Sequence, residues 1–192
     1  MEKTFEDKRK ILLDYIKSDK FFWWKTLSTD IPFYIFDYDP EDELKARDLA
    51  NTIWEEMEKK WHKALWVNIY ELVLELLTTR YGYEKYVELE KNKSFDYLSE
   101  QVIKPKLSPD ILIQKFKEIT EWYEFLYLTH LWVAWPYLRA HFLLNNLAWA
   151  LPNDRIVLLM YPWSYTNQKN QNSLKLFNRF DPDNYYRAFS LS

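Results

Sequence analysis

Two aspartates that follow a short apolar run have the residue types and spacing best suited to chemistry in this chain. The stretch IPFYIFDYDP, residues 31–40, ends on Asp37 and Asp39. Carboxylates in such a position can ligate a metal ion or accept a proton as a general base. Further along the chain, Arg139 and His141 are residue types that bind phosphate or donate a proton. We treat these four residues as the candidate edge site.

The same four residues also have a structural interpretation. Asp39–Asp42 has the pattern of a helix start, with a capping oxygen, a proline at the first helical position and acids in the first turn. In this interpretation Asp37 forms an ion pair with Arg139, and His141 makes a hydrogen bond inside the protein. The sequence leaves both interpretations open.

The elements that would position these side chains alternate between strand and helix. Residues 33–36 are apolar, aromatic and branched, and they predict a short strand that is buried on both faces. Residues 41–61 place their apolar side chains on one face of a helix. Further strands are predicted at 64–70, 122–129, 154–161 and 184–191, and further helices at 5–17, 71–80, 83–103, 108–120 and 136–148.

This order predicts an α/β fold in a single domain spanning residues 1–192. Strands separated by helices pair in parallel through right-handed crossovers, so we expect a three-layer sandwich with a mainly parallel sheet of about five strands. Ligands of open α/β sheets bind beyond the carboxyl ends of the strands. The aspartates, the turn at 129–135 and the turn after Tyr161 should therefore converge at one edge of the sheet.

Glycine is nearly absent from the sequence. The chain has one, Gly82, where average usage would give about 13. A Walker A loop and a GxGxxG dinucleotide-binding turn both need several glycines, so nucleotide binding by those motifs is excluded. We expect Gly82 to be a left-handed helix C-cap, and asparagines such as Asn153 to take any other position with positive φ.

The overall composition restricts the class of protein. Hydrophobic residues make up 48% and charged residues 29% of 192 residues, as in a globular protein with a substantial core. The absence of cysteine excludes disulfides and thiolate ligands, and three separated histidines give no metal motif, so no cofactor is expected. A net charge of -3 argues against direct nucleic-acid binding. The lack of a membrane span or signal peptide predicts a cytoplasmic protein.

Several aromatic and basic residues are candidates for binding a partner protein. A four-aromatic run at 21–24 precedes the first strand, and a Tyr-Tyr-Arg sequence lies near the end of the chain. The candidates are Trp23, Trp24, Trp163, Tyr185, Tyr186 and Arg187. Core packing of the two tyrosines would look the same in sequence. The other tryptophans are predicted to lie mostly in the core.

Four blocks of the sequence resemble the BrxB family of BREX bacteriophage-exclusion systems. They are IPFYIFDYDP at 31–40, WPYLRAHFLLNNL at 135–147, LLMYP at 158–162 and LKLFNRFDPDNYYRAFSL at 174–191. The resemblance implies an antiviral defence protein that acts with a multi-gene set including an AAA+-type ATPase, a DNA methyltransferase and a PglZ phosphatase-like protein. It also implies a fold like that of nucleotide-binding α/β domains without a P-loop, and no established catalytic activity.

Two functions from different classes follow. The resemblance favours a non-catalytic assembly or adaptor subunit that joins the PglZ-like protein and the AAA+-type ATPase through exposed aromatic and charged surfaces. The alternative is a metal- or phosphate-dependent enzyme, with nucleic acid as a candidate substrate, that uses Asp37, Asp39, Arg139 and His141. Where the family tends to have glycines, this chain has residues such as His130, Trp132 and Trp163. We expect these larger side chains to fill space above the strand ends.

Overall fold

The computed structural model describes residues 3–18, 33–60, 62–79, 82–162, 165–168, 171–174 and 189–190. The helices are α1 (Phe5–Lys17), α2 (Glu43–Lys59), α3 (Ile69–Thr78), α4 (Tyr83–Asn92), α5 (Phe95–Leu98), α6 (Lys104–Lys106), α7 (Pro109–Thr120) and α8 (Ala140–Ala150). A 3-10 turn, Pro40–Asp42, precedes α2, and a π-helical turn, Ser99–Ile103, joins α5 to α6.

The strands are β1 (Phe33–Asp37), β2 (Ala64–Asn68), β3 (Phe125–Thr129), β4 (Ile156–Tyr161), β5 (Tyr165–Gln168), β6 (Gln171–Leu174) and β7 (Phe189–Ser190). Five of them form one sheet in the order β2-β3-β4-β1-β7, and every pair in it is parallel. The predicted α/β class with a mainly parallel sheet is confirmed. The fifth strand, β7, contributes only two described residues to it.

Each face of the sheet carries its own hydrophobic core. Alternate residues of β1 point to opposite faces, as the pleat of a strand requires. Tyr34 and Phe36 pack with α1 and α2, whereas Phe33 and Ile35 belong to the core formed with α3, α4, α5, α7 and α8. Every residue of β1, β3 and β4 is buried. Helices on both faces of a buried sheet give the three layers that the sequence predicts.

Helix α8 begins later than predicted. The expected start at Pro136 is wrong, because residues 131–137 form a series of turns and the helix begins at Ala140. The amides of Tyr137 and Leu138 bond back to the carbonyl of Ala134, and the extended backbone of Arg139 (ψ 144°) separates these turns from the helix. Arg139 is therefore the N-cap residue of α8.

Two loop predictions also need correction. The sequence between Trp163 and Ser173 predicts a polar loop, but β5 and β6 pair there in antiparallel fashion, with Tyr165 opposite Leu174 and Gln168 opposite Gln171. The ladder is made by backbone groups, so a polar sequence can form it. Gly82 has positive φ (78°), but with ψ at 163° it is the N-cap of α4 and not a left-handed C-cap.

The tryptophans do not lie mostly in the core. Of the tryptophans whose side chains the structure describes, namely Trp54, Trp66, Trp122, Trp132, Trp135 and Trp149, none is buried. The core is instead filled by aliphatic side chains, phenylalanines and tyrosines. Indole rings are large and carry an N–H group that needs a partner, so they are often only partly buried.

Candidate functional site

Asp37 lies at the carboxyl end of β1 in a buried ion pair. Its Oδ2 atom is 3.2 Å from Nζ of Lys8 on α1, and the same ammonium group donates a hydrogen bond to the Asp37 carbonyl at 3.1 Å. Asp37 is 4% exposed. A charged carboxylate at such a depth needs a charged partner, and Lys8 supplies it. The pair fastens α1 to the sheet edge.

Asp39 caps the turn that leads into α2. Its Oδ1 accepts a hydrogen bond from the amide of Glu41 at 3.0 Å, and Pro40 holds the first position of the 3-10 turn. The acidic residues of this turn lie at its amino end, where the backbone dipole favours negative charge. The structural interpretation of Asp39 as an N-cap is therefore confirmed. The side chain itself is exposed.

Arg139 and His141 lie at the start of α8. The guanidinium carbon of Arg139 is 3.7 Å from the ring centroid of Trp135, a close cation-π contact. His141 is half-buried in the first turn of the helix and makes no hydrogen bond to a described residue. The ion pair expected between Asp37 and Arg139 is replaced by the Lys8–Asp37 pair and by the stacking of Arg139.

The four candidate residues thus share an edge of the sheet without sharing contacts. All four lie at or beyond the carboxyl end of a strand, as the parallel topology requires. However, β4 separates β1 from β3, so the ends of those two strands are about 10 Å apart at the usual strand spacing. Within the described ranges there is also no group of three His, Asp or Glu side chains able to hold a metal ion.

The same edge contains a small polar pocket that the sequence did not predict. It lies between α2 and the ends of β1, β3 and β4, with the Trp66 side chain of β2 at one side. Its polar lining residues are Tyr38, Glu43, Arg47, Tyr127, Thr129 and His130. Its open volume is about 20 Å³. The residues come from separate elements, so only the fold brings them together.

Glu43 is the charged centre of this pocket. Its carboxylate accepts a hydrogen bond from the Tyr38 hydroxyl at 2.7 Å and pairs with Nε of Arg47 at 3.1 Å. Burial, and then the bond to Glu43, raise the pKa of Tyr38 well above its usual value. Burial and the charge of Glu43 do the same to the pKa of Tyr127. Both phenols therefore stay protonated and can donate hydrogen bonds.

A chain of hydrogen bonds through Trp66, Thr129 and His130 forms another wall of the pocket. The indole N–H of Trp66 donates to Oγ1 of Thr129 at 2.9 Å, and this hydroxyl is 2.9 Å from Nδ1 of His130. His130 has φ at 59°, a left-handed conformation that histidine adopts more readily than most residues. Burial lowers the pKa of His130, which favours the neutral imidazole. One signal for this wall was present in the sequence, namely His130, which stands where the resemblance to the BrxB family implies a glycine.

Comparison with known proteins identifies the family. The family model described as "BREX protein BrxB" matches residues 65–191. A "BREX protein BrxB" from Bacillus cereus (strain H3081.97) is 30% identical over 173 residues, which cover 87% of this chain and 86% of the relative. The chain belongs to the BrxB family. Another "BREX protein BrxB", from Escherichia coli O9:H4 (strain HS), is 27% identical over 179 residues, covering 92% and 86%. No solved structure matches the chain.

The BrxB family model covers some of the candidate residues and not others. Arg139, His141 and the pocket residues of β3 fall within the matched range, whereas Asp37 and Asp39 precede it. The predicted partner-binding residues Trp23, Trp24, Trp163, Tyr185, Tyr186 and Arg187 lie outside the described residues. None of the helices that the structure describes is long and apolar enough to cross a membrane.

Two tryptophans of this BrxB-family chain are strongly exposed. Trp122, just before β3, is 68% exposed, and Trp149, in the last turn of α8, is 79% exposed. Since β3 and β4 are adjacent, both residues lie at the amino edge of the sheet, opposite the candidate edge site. Trp149 lines a groove of about 440 Å³ between the ends of α7 and α8. We call Trp122, Trp149 and this groove the amino-edge surface.

Proposed function

We propose that this chain is a non-catalytic assembly subunit of a BREX system, acting in the cytoplasm in defence against phage. Membership of the BrxB family supports a role in such a system, because the relatives carry the name "BREX protein BrxB". The PglZ-like protein and the AAA+-type ATPase of the system are the proposed partners. An assembly subunit must present a surface that binds other proteins and is not needed for its own fold.

The observation that carries the proposal is the exposure of two large aromatic side chains at one edge. Tryptophan is among the residues that contribute most to protein–protein interfaces, since it buries a large area and retains one hydrogen-bond donor. Exposing Trp122 and Trp149 gains the isolated chain nothing, because their apolar surface stays in water. A partner that covers them would recover that free energy.

The groove beside Trp149 is bordered by a charged residue, Arg155, that bonds to both sides of it. Nη2 of Arg155 donates to the carbonyl of Glu121 at 3.4 Å, and Nη1 contacts both carboxylate oxygens of Asp154 at 2.9 Å. These contacts join the end of α7 to the turn before β4. The groove is lined by both apolar and charged residues, the two kinds that form the apolar core and the polar rim of known interfaces.

Affinity purification from cells that express the complete BREX gene set tests the amino-edge surface. The test variant carries Trp122→Ala and Trp149→Ala, and the matched control carries Leu44→Ala, since Leu44 is 77% exposed on α2. Loss of a tryptophan hot spot costs about 2 kcal/mol or more, which is about 30-fold in affinity. We expect the tryptophan variant to recover far less of its partners than wild type, and the Leu44 variant to recover the wild-type amount.

Two results would count against the proposal, and they are distinguishable. If the wild-type chain recovers no other BREX protein, the assembly role is wrong. If wild type and the tryptophan variant recover the same amounts, the assembly role stands but the amino-edge surface is not the binding surface. Circular dichroism of both variants shows whether the fold is retained.

A further inference from the structure

The pocket between α2 and β3 contains a buried hydroxyl group that needs a partner. Tyr127 is 2% exposed, and its hydroxyl makes no hydrogen bond to any described residue. The ring is fixed by an edge-to-face contact with Trp66 at 5.7 Å between centroids. Leaving a phenol hydroxyl unbonded at this depth is costly, and buried hydroxyls in proteins are nearly always bonded to protein or to ordered water.

The size of the pocket limits what can bond to Tyr127. Its open volume of about 20 Å³ exceeds the roughly 10–15 Å³ that one water molecule requires by the same kind of measure. A nucleobase, a sugar or a phosphate group needs several times that space. The pocket thus fits a ligand of one heavy atom with hydrogen-bonding capacity in several directions.

A second group in the pocket can bond to the same ligand. Oε1 and Oε2 of Glu43 each take part in one interaction, with Arg47 and Tyr38 respectively. A carboxylate oxygen has two lone pairs, so each can accept another hydrogen bond. Glu43 lines the pocket together with Tyr127. Two or more polar partners are the usual requirement of a buried water.

We propose that this pocket binds one ordered water molecule, which accepts a hydrogen bond from the Tyr127 hydroxyl and donates one to the Glu43 carboxylate. The water joins β3 in the centre of the sheet to the first turn of α2. Together with the bond from Tyr38 to Glu43, it connects three elements at the carboxyl edge: β3, the end of β1, and α2. The edge next to Asp39 is thereby held rigid.

A crystal structure that resolves ordered solvent tests the site directly. We expect a single density peak within hydrogen-bonding distance of both Tyr127 Oη and a Glu43 carboxylate oxygen. An empty pocket, a direct bond between Tyr127 and the protein, or density for a larger molecule would each overturn the proposal.

Thermal unfolding of Tyr127→Phe gives an independent test. If the water is bound, removing the hydroxyl breaks its link, and Tm falls by about 2–4 °C for a chain of this length. If the hydroxyl is unbonded in solution, its removal leaves Tm unchanged or raises it, which contradicts the proposal. The effect should be non-additive with that of Glu43→Gln. The control is Tyr137→Phe, whose hydroxyl donates directly to Glu90 at 2.9 Å and whose effect should add to that of Glu43→Gln.

Discussion

Asp37 shows how a residue suited to chemistry can be required by the fold. Its carboxylate is buried at the end of β1 and holds Lys8 from the first helix. The sequence pattern that drew attention to it, an apolar strand followed by acids, is also the pattern of a strand that ends at a helix cap. The two aspartates differ in burial and in contacts. Asp37 is buried and stabilises the packing of α1, whereas Asp39 is exposed and stabilises a turn.

Replacing Asp37 should therefore lower stability. In Asp37→Ala the largely buried Lys8 ammonium loses its carboxylate partner and keeps only its bond to the backbone carbonyl, so we expect a loss of about 3 kcal/mol in the free energy of unfolding. Urea denaturation measures it. The matched control is Asp39→Asn, which keeps a good capping residue and should change stability by less than about 0.5 kcal/mol. If Asp37→Ala is as stable as wild type, the ion pair contributes nothing to the free energy of unfolding.

At the scale of elements, the turn after β3 departs furthest from what the sequence predicts. The turns continue past residue 135 to residue 137, where a helix was expected from Pro136, and His130 takes the left-handed conformation in place of a glycine or asparagine. The hydrogen bond between Thr129 and His130 orients the imidazole within the pocket wall, and burial lowers the pKa of His130. The turns after β3 therefore determine where Arg139 and α8 begin.

The lowered pKa of His130 predicts how stability depends on pH. The unfolded histidine titrates at about pH 6.5 and the folded one at a lower pH, so the unfolded state binds the proton more tightly. Stability is fully present above pH 6.5 and decreases as the pH falls from there toward the folded pKa. His130→Asn, which tolerates the same backbone conformation, should reduce this slope between pH 7 and 5. The free energy of unfolding is measured by urea denaturation at a series of pH values. If wild type and His130→Asn show the same dependence on pH, the assignment of this dependence to His130 is contradicted.

How much of the fold the sequence could predict depends on the kind of signal. The apolar run of β1 predicted its burial, the runs at 122–129 and 154–161 predicted β3 and β4, and the alternation with helices predicted parallel pairing. The antiparallel pairing of β5 and β6 was missed because it uses backbone groups that a polar sequence does not reveal. The exposure of Trp122 and Trp149 was missed because composition cannot tell which face of a turn or helix end is covered. The pocket was missed because its residues come from separate elements.

At the scale of the whole molecule, the two edges of the sheet have different character. The carboxyl edge carries charged residues engaged in caps, ion pairs and stacking, around a pocket of about 20 Å³. The amino edge exposes two tryptophans beside a groove of about 440 Å³. The proposed role as an assembly subunit of a BREX system fits both edges, because such a subunit needs a binding surface and no reaction centre.

Phage plating on cells with the complete BREX gene set tests this account most directly. The decisive variant combines Asp39→Asn, Arg139→Gln and His141→Gln, which removes the exposed and half-buried groups of the candidate edge site and spares the buried Lys8–Asp37 pair. A non-catalytic subunit predicts that this variant protects cells as well as wild type does. Loss of protection, in a variant that still folds and still purifies with its partners, would contradict the account and favour chemistry at the carboxyl edge.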